Sequence, residues 1–503
     1  MKLESAVVLC LLLTACKSDT NNLPSSMGTA GVPPQGGAPI GTTAGSIAPP
    51  ASSGSAGSMS TTVPSAGRSA GAGASGTAAP AAGSGGAVVA GAQAQAGASG
   101  AAATAGAGTA GAAGGTAGAA GGTAGAAGGA PPAAELMGCG DSKLLALPED
   151  ETARGPWPVG QKTVKIGRLE KVEIMYPAKP GSETGKEALK VDMRVFLPQG
   201  EASKVPDAEA TIISQDTYSD LPLDDAHGPY PIAVFVHGTA SFRVGSWSTQ
   251  ALWASRGIVV VAADHPGLYL GDYLAQQCGR TTATENLSAD VDAELAALAA
   301  PSGDLAFLAN HIDPMRVAIA GHSAGAYAAA TFSTKPGVQL IMPLSGTRAT
   351  TRAASLKSVL YVSGIADSVL PYKPGGFGVG TILYPGNATD AYEQSPGPPS
   401  TKKRLVGITA GGHLVVTDLC RPGPQGKGDL QVASAHGVCG ASQLDALGLA
   451  DCGTLSREKG TQIVNDVTTA VLEETLHCQD RAARISALKT RYPDVGEIKE
   501  AVK

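Results

Sequence analysis

The chain has 503 residues, a formal net charge of −6 and only 4% aromatic residues. This mildly acidic balance, without a basic cluster interleaved with aromatic residues, argues against nucleic acid as a partner. Composition is very uneven, because Arg68 is the only charged residue in residues 21–134 and Trp157 is the first aromatic residue. A folded core is therefore predicted only in the later two thirds of the chain.

Near the start, an apolar run over residues 6–13 leads into Leu-Thr-Ala-Cys. The run is too short to span a bilayer as a mature helix. It resembles a bacterial lipoprotein signal, which implies removal of residues 1–15 and lipid attachment at Cys16. Lys17 follows the cysteine where retention at the inner membrane would favour Asp, so the resemblance implies an exported protein anchored at the outer membrane or cell surface. An ordinary secretory signal cut elsewhere is the alternative.

Residues 16–135 are rich in Gly, Ala and Ser, and a seven-residue unit that begins at Gly108 recurs at Gly115 and Gly122. The repeat offers no large apolar residue for a coiled-coil seam, and its glycines disfavour helix. We predict a disordered tether that spans roughly 60 Å, from about 5–6 Å times the square root of residue number.

Cysteine usage agrees with export. Once Cys10 and Cys16 are assigned to the signal and the lipid, six cysteines remain: Cys139, Cys278, Cys420, Cys439, Cys452 and Cys478. An even set in an oxidising compartment predicts three disulfides, with 15 possible connectivities. No C-x-x-C pair and no H-E-x-x-H helix is present, so neither a metal nor another cofactor is expected.

Residues 136–503 are predicted to form one catalytic domain. Residues 163–176 and 189–197 are interpreted as two early strands with alternating apolar positions. Continuous apolar runs then follow at residues 232–236, 258–262, 317–320, 340–344, 358–362 and 404–408. Helical spacing lies between them, at residues 247–256, 289–299, 324–333 and 457–476. This alternation predicts an α/β fold with a doubly wound, mostly parallel sheet.

The most informative motif is Gly321-His322-Ser323-Ala324-Gly325, which lies between an apolar run and an alanine-rich helical pattern. A Gly-x-Ser-x-Gly turn in that context is typical of a nucleophile elbow, with Ser323 as the nucleophile. A second match at residues 67–71, centred on Ser69, has neither strand nor helix around it, so we interpret it as accidental.

A serine hydroxyl needs a base and an orienting acid, because the neutral hydroxyl is too weak a nucleophile. Asp367 and His413 each follow an apolar strand through a Gly-containing turn, in the chain order Ser, Asp, His. Asp418 is the runner-up polar partner. His322 is interpreted as a packing residue that points away from the nucleophile, and His265 as part of a structural turn.

An oxyanion hole is built from rigid backbone N–H groups. We predict that one comes from Ala324, directly after the serine. The other is predicted from Thr239, because His237 and Gly238 end an apolar strand and glycine permits close backbone approach. The Gly- and Pro-rich residues 371–386 are expected to border the acyl site.

Residues 234–243 and 257–265, together with the Gly-His-Ser elbow, resemble the α/β-hydrolase branch that contains platelet-activating-factor acetylhydrolases and dienelactone-hydrolase-like esterases. Residues 367–371 and the Gly-Gly-His turn at His413 are also similar to bacterial cutinases and polyester hydrolases. The resemblance covers about residues 230–418. It implies an α/β-hydrolase fold and a Ser323, Asp367, His413 triad.

The predicted function is hydrolysis of carboxylic esters through an acyl-enzyme on Ser323, by a monomer acting on a small-molecule, lipid or polymer ester. Two alternatives remain open. The same residues serve an amidase, thioesterase or peptidase, or the chain is a surface binding protein on an inactive hydrolase scaffold. The chain also departs from the polyester hydrolases, since Leu344-Ser345-Gly346-Thr347 lacks their tryptophan and the tail after Cys420 is longer and richer in cysteine.

Overall fold

A computed structural model describes residues 135–502. The predicted signal peptide, the predicted lipidation site Cys16 and residues 16–134 of the tether predicted over residues 16–135 lie outside the described residues. Among the helices that are described, none is both long enough and apolar enough to cross a membrane.

Strands and helices alternate through the described residues. The strands are β1 (Glu135–Met137), β2 (Lys143–Leu145), β3 (Val159–Ile166), β4 (Leu169–Pro177), β5 (Lys190–Asp192), β6 (Ile212–Ser214), β7 (Thr217–Ser219), β8 (Tyr230–Val236), β9 (Val259–Ala263), β10 (Ile312–His322), β11 (Val338–Leu344), β12 (Ser358–Gly364), β13 (Lys402–Ile408) and β14 (Val495–Ala501). The α-helices are α1 (Trp247–Ser255), α2 (Leu270–Gln277), α3 (Leu287–Ala299), α4 (Ala324–Ala329), α5 (Ala388–Gln394), α6 (Asp429–Ala435), α7 (Ala441–Ala446), α8 (Arg457–Leu476), α9 (Ala482–Ser486) and α10 (Leu488–Arg491).

The central feature is a ten-stranded sheet in the order β14-β13-β12-β11-β10-β8-β9-β4-β3-β7. The six strands from β13 to β9 are parallel to one another, as the continuous apolar runs predict. β14 joins one side antiparallel, and β4 and β3 extend the other side antiparallel. The prediction of an α/β fold around a mostly parallel sheet is confirmed.

Each parallel strand is buried on both faces. In β8, Ile232, Val234 and Val236 pack into one apolar cluster with α3, while Ala233 and Phe235 pack into a second cluster with α1 and α8. Burial on both faces is the reason that these strands read as unbroken apolar runs. Because β10 lies in the middle of the sheet, the segment that follows it is supported from both sides.

Two details of the predicted strands are wrong. Residues 163–176 do not form one strand, because Gly167 adopts a positive φ of 55° and reverses the chain between β3 and β4. The predicted strand at residues 189–197 stops after Asp192, whose side chain accepts a hydrogen bond from the Arg194 amide and starts a 3-10 turn. Val195, predicted to face inward, is therefore 63% exposed.

The six cysteines of the described residues form three disulfides, as predicted. The pairs are Cys139 with Cys478, Cys278 with Cys439, and Cys420 with Cys452. The first pair joins residues 339 positions apart, so it links the beginning of the described domain to its last part. The third pair joins Cys420, shortly after His413, to Cys452 in the tail, 32 positions later.

Glu294 on α3 is a buried carboxyl group, with 0% of its surface exposed and no hydrogen-bond partner for either oxygen among the described residues. Burial, and then the nearby Asp290, raise the pKa of Glu294 well above its usual value. A carboxyl whose pKa rises on folding contributes stability below its unfolded pKa of about 4.3, and that contribution is lost as the pH rises.

Above the unfolded pKa, the buried Glu294 carboxyl is expected to lower the free energy of unfolding by roughly 1 kcal/mol per pH unit. We therefore predict that Glu294→Gln removes this loss of stability. Thermal unfolding of the variant should shift upward relative to the wild type at pH 8, and the gap should close towards pH 4. The exposed Glu149 offers a control, since Glu149→Gln should follow the wild type throughout. Parallel pH profiles for Glu294→Gln and the wild type would contradict the prediction.

Candidate active site

The turn between β10 and α4 depends on two glycines. A Cβ at Gly325 would collide with the backbone carbonyls of Val236 and His237 at the end of β8. A Cβ at Gly321 would collide with the backbone of Gly325 in the first turn of α4. Only glycine permits backbones to approach so closely, so both positions fix the path of the chain on either side of Ser323.

Ser323 occupies the tip of this turn. Its backbone has φ 55° and ψ −117°, a conformation that L-residues rarely adopt and that costs about 1–3 kcal/mol. Its amide donates to the Leu344 carbonyl of the neighbouring strand β11 at 3.0 Å. The strained turn between a strand and a helix is the geometry that the sequence motif predicts at this position.

The structure brings Ser323, His413 and Asp367 together from three separate loops. Ser323 Oγ lies 2.8 Å from His413 Nε2, and His413 Nδ1 lies 2.9 Å from Asp367 Oδ2. The other carboxylate oxygen, Asp367 Oδ1, accepts the amides of Val369 and Leu370 at 2.9 and 2.8 Å. Because a carboxylate accepts, Nδ1 of His413 carries the proton and Nε2 presents its lone pair to the serine hydroxyl.

The loop after β8 lies against the serine. A Cβ on Gly238 would stand 2.9 Å from the Ser323 Cβ, so the backbone passes directly beside it. The Gly238 carbonyl accepts hydrogen bonds from His237 Nδ1 at 2.8 Å and from the Ser241 amide at 3.2 Å. In a trans peptide the next N–H points the opposite way, so these bonds fix the direction of the Thr239 amide.

Two amides beside the serine lack acceptors. Within residues 135–502, neither the Thr239 N–H nor the Ala324 N–H donates a hydrogen bond. Ala324 is the first residue of α4, where the helix dipole adds positive potential. Free, rigid donors of this kind are suited to binding an oxygen that develops negative charge.

Two buried histidines support these loops. His322 Nε2 donates to the His413 carbonyl at 3.2 Å, and its ring lies 5.0 Å from the His413 ring. His322 thus packs against the histidine loop and also donates a hydrogen bond to its backbone. Burial, followed by the proximity of His413, lowers the pKa of His322 well below its usual value. Burial and then the neighbouring His265 lower the pKa of His237 to about 3, so both supporting rings stay neutral near pH 7.

Sequence reasoning missed Asp451, which comes from the tail. Asp451 Oδ2 accepts the His413 amide at 3.1 Å and the Ser368 amide at 2.8 Å, and Asp451 Oδ1 accepts the Gly453 amide at 3.0 Å. Burial opposes its ionisation, but hydrogen bonds from Ser368, Gly453 and His413 outweigh burial and lower the pKa of Asp451. No local motif marks this residue.

The runner-up polar partner, Asp418, lies elsewhere. Asp418 accepts the Ser248 amide at 2.7 Å in the first turn of α1, and Arg457 approaches it at 3.3 Å. The His265 amide donates a hydrogen bond to His237 Nε2 at 3.1 Å. This contact agrees with the prediction that His265 is part of a structural turn. Asp418 is thus engaged with α1, while Asp367 is the acid that contacts the His413 ring.

A loop segment that carries Tyr384 lies beside Thr239. The Tyr384 hydroxyl lies 3.4 Å from Thr239 Oγ1, and the Tyr384 ring packs 5.3 Å from that of Tyr327 in α4. In the same segment, the side chains of Phe377 and Leu383 are 78% and 52% exposed. Residues 371–386 therefore reach the Thr239 side chain through Tyr384, and their border with an acyl site stays a prediction.

Comparison with known proteins gives no assignment. No protein-family model matches the chain, and no curated protein shows significant similarity to it. Among the described residues, no group of three or more His, Cys, Asp or Glu side chains is arranged to hold a metal ion. The geometry of the site itself is therefore the basis for inferring a function.

We predict that Gly325→Ala destabilises the domain by about 1–3 kcal/mol or more, because the new methyl group meets rigid backbone and not a flexible side chain. Chemical denaturation followed by tryptophan fluorescence measures the change. Gly428→Ala is the matched control, since no atom lies within 4 Å of the added Cβ there. Equal unfolding midpoints for the two variants would show that the close approach at Gly325 is not required.

Proposed function

We propose that the chain is a serine hydrolase of the α/β-hydrolase type that cleaves carboxylic esters. The observation that carries this proposal is the continuous chain of contacts from Ser323 Oγ to His413 Nε2 and from His413 Nδ1 to Asp367, at 2.8 and 2.9 Å. The free amides of Thr239 and Ala324 beside the serine add support. A binding protein on an inactive scaffold would not need this arrangement to be complete.

In the proposed reaction, His413 Nε2 takes the proton from the Ser323 hydroxyl as Oγ attacks the ester carbonyl. The Thr239 and Ala324 amides bind the resulting oxyanion. When the tetrahedral intermediate collapses, the C–O bond to the alcohol breaks and the alkoxide receives the proton from Nε2. Water then attacks the acyl-enzyme, again giving its proton to His413, and the acid leaves as Ser323 recovers its proton.

Asp367 has a positioning and electrostatic part in this scheme. Two backbone amides hold Oδ1, so Oδ2 is directed to the Nδ1 proton and keeps the imidazole in one tautomer. The carboxylate also stabilises the imidazolium that forms during each half-reaction. The exposed apolar side chains of Phe377 and Leu383, in the segment that carries Tyr384, favour an ester whose acyl or alkyl part is apolar.

The proposal includes export and lipid attachment at Cys16. Three disulfides in the described domain support an oxidising compartment, since such bonds are rare in the reducing cytosol. The lipoprotein-like signal and the long Gly- and Ala-rich segment suggest that the catalytic domain works at a distance from a membrane.

We predict that the wild type hydrolyses p-nitrophenyl esters of graded chain length, and that Ser323→Ala lowers kcat on the order of 10⁶-fold because the nucleophile is removed. Ser69→Ala, at the second Gly-x-Ser-x-Gly match, is the control and should retain full activity. Amide and thioester analogues, assayed in parallel, decide the bond class. Faster turnover of the amides than of the esters would contradict the ester assignment.

The same assay tests the acid. Asp367→Asn should lower kcat on the order of 10⁴-fold, because the amide cannot hold the reactive tautomer. Asp418→Asn changes the runner-up polar partner and should stay within about tenfold of the wild type, since Asp418 contacts α1 and not the His413 ring. Full activity of Asp367→Asn would require a different acid.

For the anchor, we predict that radioactive palmitate added to producing bacterial cells labels the wild type and not Cys16→Ser. Cys10→Ser is the matched control, because Cys10 belongs to the segment that the signal peptidase removes, and it should keep the label. Label that persists on Cys16→Ser would remove the lipoprotein assignment.

A further inference from the structure

The tail after Cys420 packs against the loop that carries His413. Gly411 and Gly453 form an antiparallel bridge, the Thr454 amide donates to the Ala410 carbonyl at 2.9 Å, and the Leu414 amide donates to the Asp451 carbonyl at 2.8 Å. The short segment of residues 451–455 thus runs beside the histidine loop as an additional backbone partner.

Asp451 joins this segment to two loops at once. Its Oδ2 accepts the His413 amide at 3.1 Å, and also the Ser368 amide at 2.8 Å and the Ser368 hydroxyl at 2.9 Å. Ser368 directly follows Asp367, so a single carboxylate oxygen is shared between the loop of the base and the loop of the acid. This oxygen therefore links the two loops, in addition to the Ala366 amide that donates to the Gly411 carbonyl at 3.1 Å.

The His413 carbonyl is held by donors other than Asp451. The His413 carbonyl accepts hydrogen bonds from Ser345 Oγ at 3.0 Å and from His322 Nε2 at 3.2 Å. His322 is the last residue of β10 and Ser345 directly follows β11, so both donors are held by the sheet. Asp451 belongs to the tail. Its segment is tied covalently to the segment following His413 by the Cys420–Cys452 disulfide.

We infer that Asp451 is a positioning residue for the proposed triad, held in place by the Cys420–Cys452 disulfide. This inference depends on the proposed function. Asp451 does not contact the imidazole ring; it acts through the His413 and Ser368 amides. The tail therefore completes the active site as well as closing the end of the domain.

The first test measures kcat per active site, with active sites counted by fluorophosphonate titration of the purified full chain. Asp451→Ala should lower this value on the order of 10²-fold with KM within about twofold, since a displaced base impairs chemistry more than binding. Asp451→Asn keeps an acceptor oxygen and should recover activity to within about tenfold of the wild type. Asp445→Asn, an exposed site on the same tail, is the control.

The second test compares the Cys420–Cys452 disulfide with the Cys278–Cys439 disulfide. Cys420→Ser/Cys452→Ser should lower kcat per active site, because the Asp451 segment loses its tether. The control is Cys278→Ser/Cys439→Ser, which removes the disulfide between the residue directly after α2 and the segment before α7. This double variant should leave kcat per active site unchanged. Equal kcat values in the two double variants would overturn the role of the disulfide.

An NMR measurement that does not depend on turnover tests the positioning role of Asp451 separately from the proposed ester hydrolysis. The proton on His413 Nδ1 gives a downfield NMR resonance, identified by its loss in His413→Ala, that should shift or broaden in Asp451→Ala and not in Asp445→Asn. If no ester is hydrolysed, the proposed function fails while this signal still tests the positioning role. An unchanged resonance, or fewer titratable sites with an unchanged kcat per site, would overturn the inference.

Discussion

The site depends first on the close approach of the first turn of α4 to the end of β8. With no Cβ at Gly325, the carbonyls of Val236 and His237 pack directly against the helix backbone. That approach forces Ser323 into a positive-φ turn and sets the β8 loop, with the Thr239 amide, beside it. The strain of about 1–3 kcal/mol at Ser323 is sustained because β10 is hydrogen-bonded on both sides in the middle of the sheet.

The histidine loop has a different kind of support. His413 lies beyond the end of β13, and four residues from separate parts of the chain hold it: Asp367 on the ring, His322 and Ser345 on the carbonyl, and Asp451 on the amide. Ser323 is therefore positioned by backbone contact within the sheet, whereas His413 is positioned by hydrogen bonds that involve side chains. Variants around His413 are expected to affect the geometry of the site before they affect folding.

Local patterns in the sequence were enough to predict the parallel core and to select Ser323, Asp367 and His413, three side chains that lie in contact in the structure. Strands buried on both faces produce unbroken apolar runs, and the Gly-containing turns mark where each of these side chains follows its strand. The β3-β4 hairpin was missed because only Gly167 interrupts an otherwise strand-like run. The end of β5 depends on a cap from Asp192, which alternation alone does not reveal.

Contacts between residues that are far apart in sequence leave no local pattern from which they could be predicted. The disulfide pairing follows from the packing of distant segments, so an even cysteine count predicted the number of bonds without their partners. Asp451 contacts the His413 amide across 38 residues of sequence, and nothing in its immediate neighbours distinguishes it from other turn aspartates. The antiparallel strand β14 mixes charged and apolar residues at the side of the sheet, where its partner β13 decides its position.

The central claim is that Ser323 is a nucleophile activated by His413. The most direct measurement is to treat the purified chain with a fluorophosphonate, digest it and locate the adduct by mass spectrometry. The account predicts stoichiometric modification of Ser323, with labelling that is lost in His413→Ala. No adduct at Ser323, or an equal labelling rate without the histidine, would contradict it.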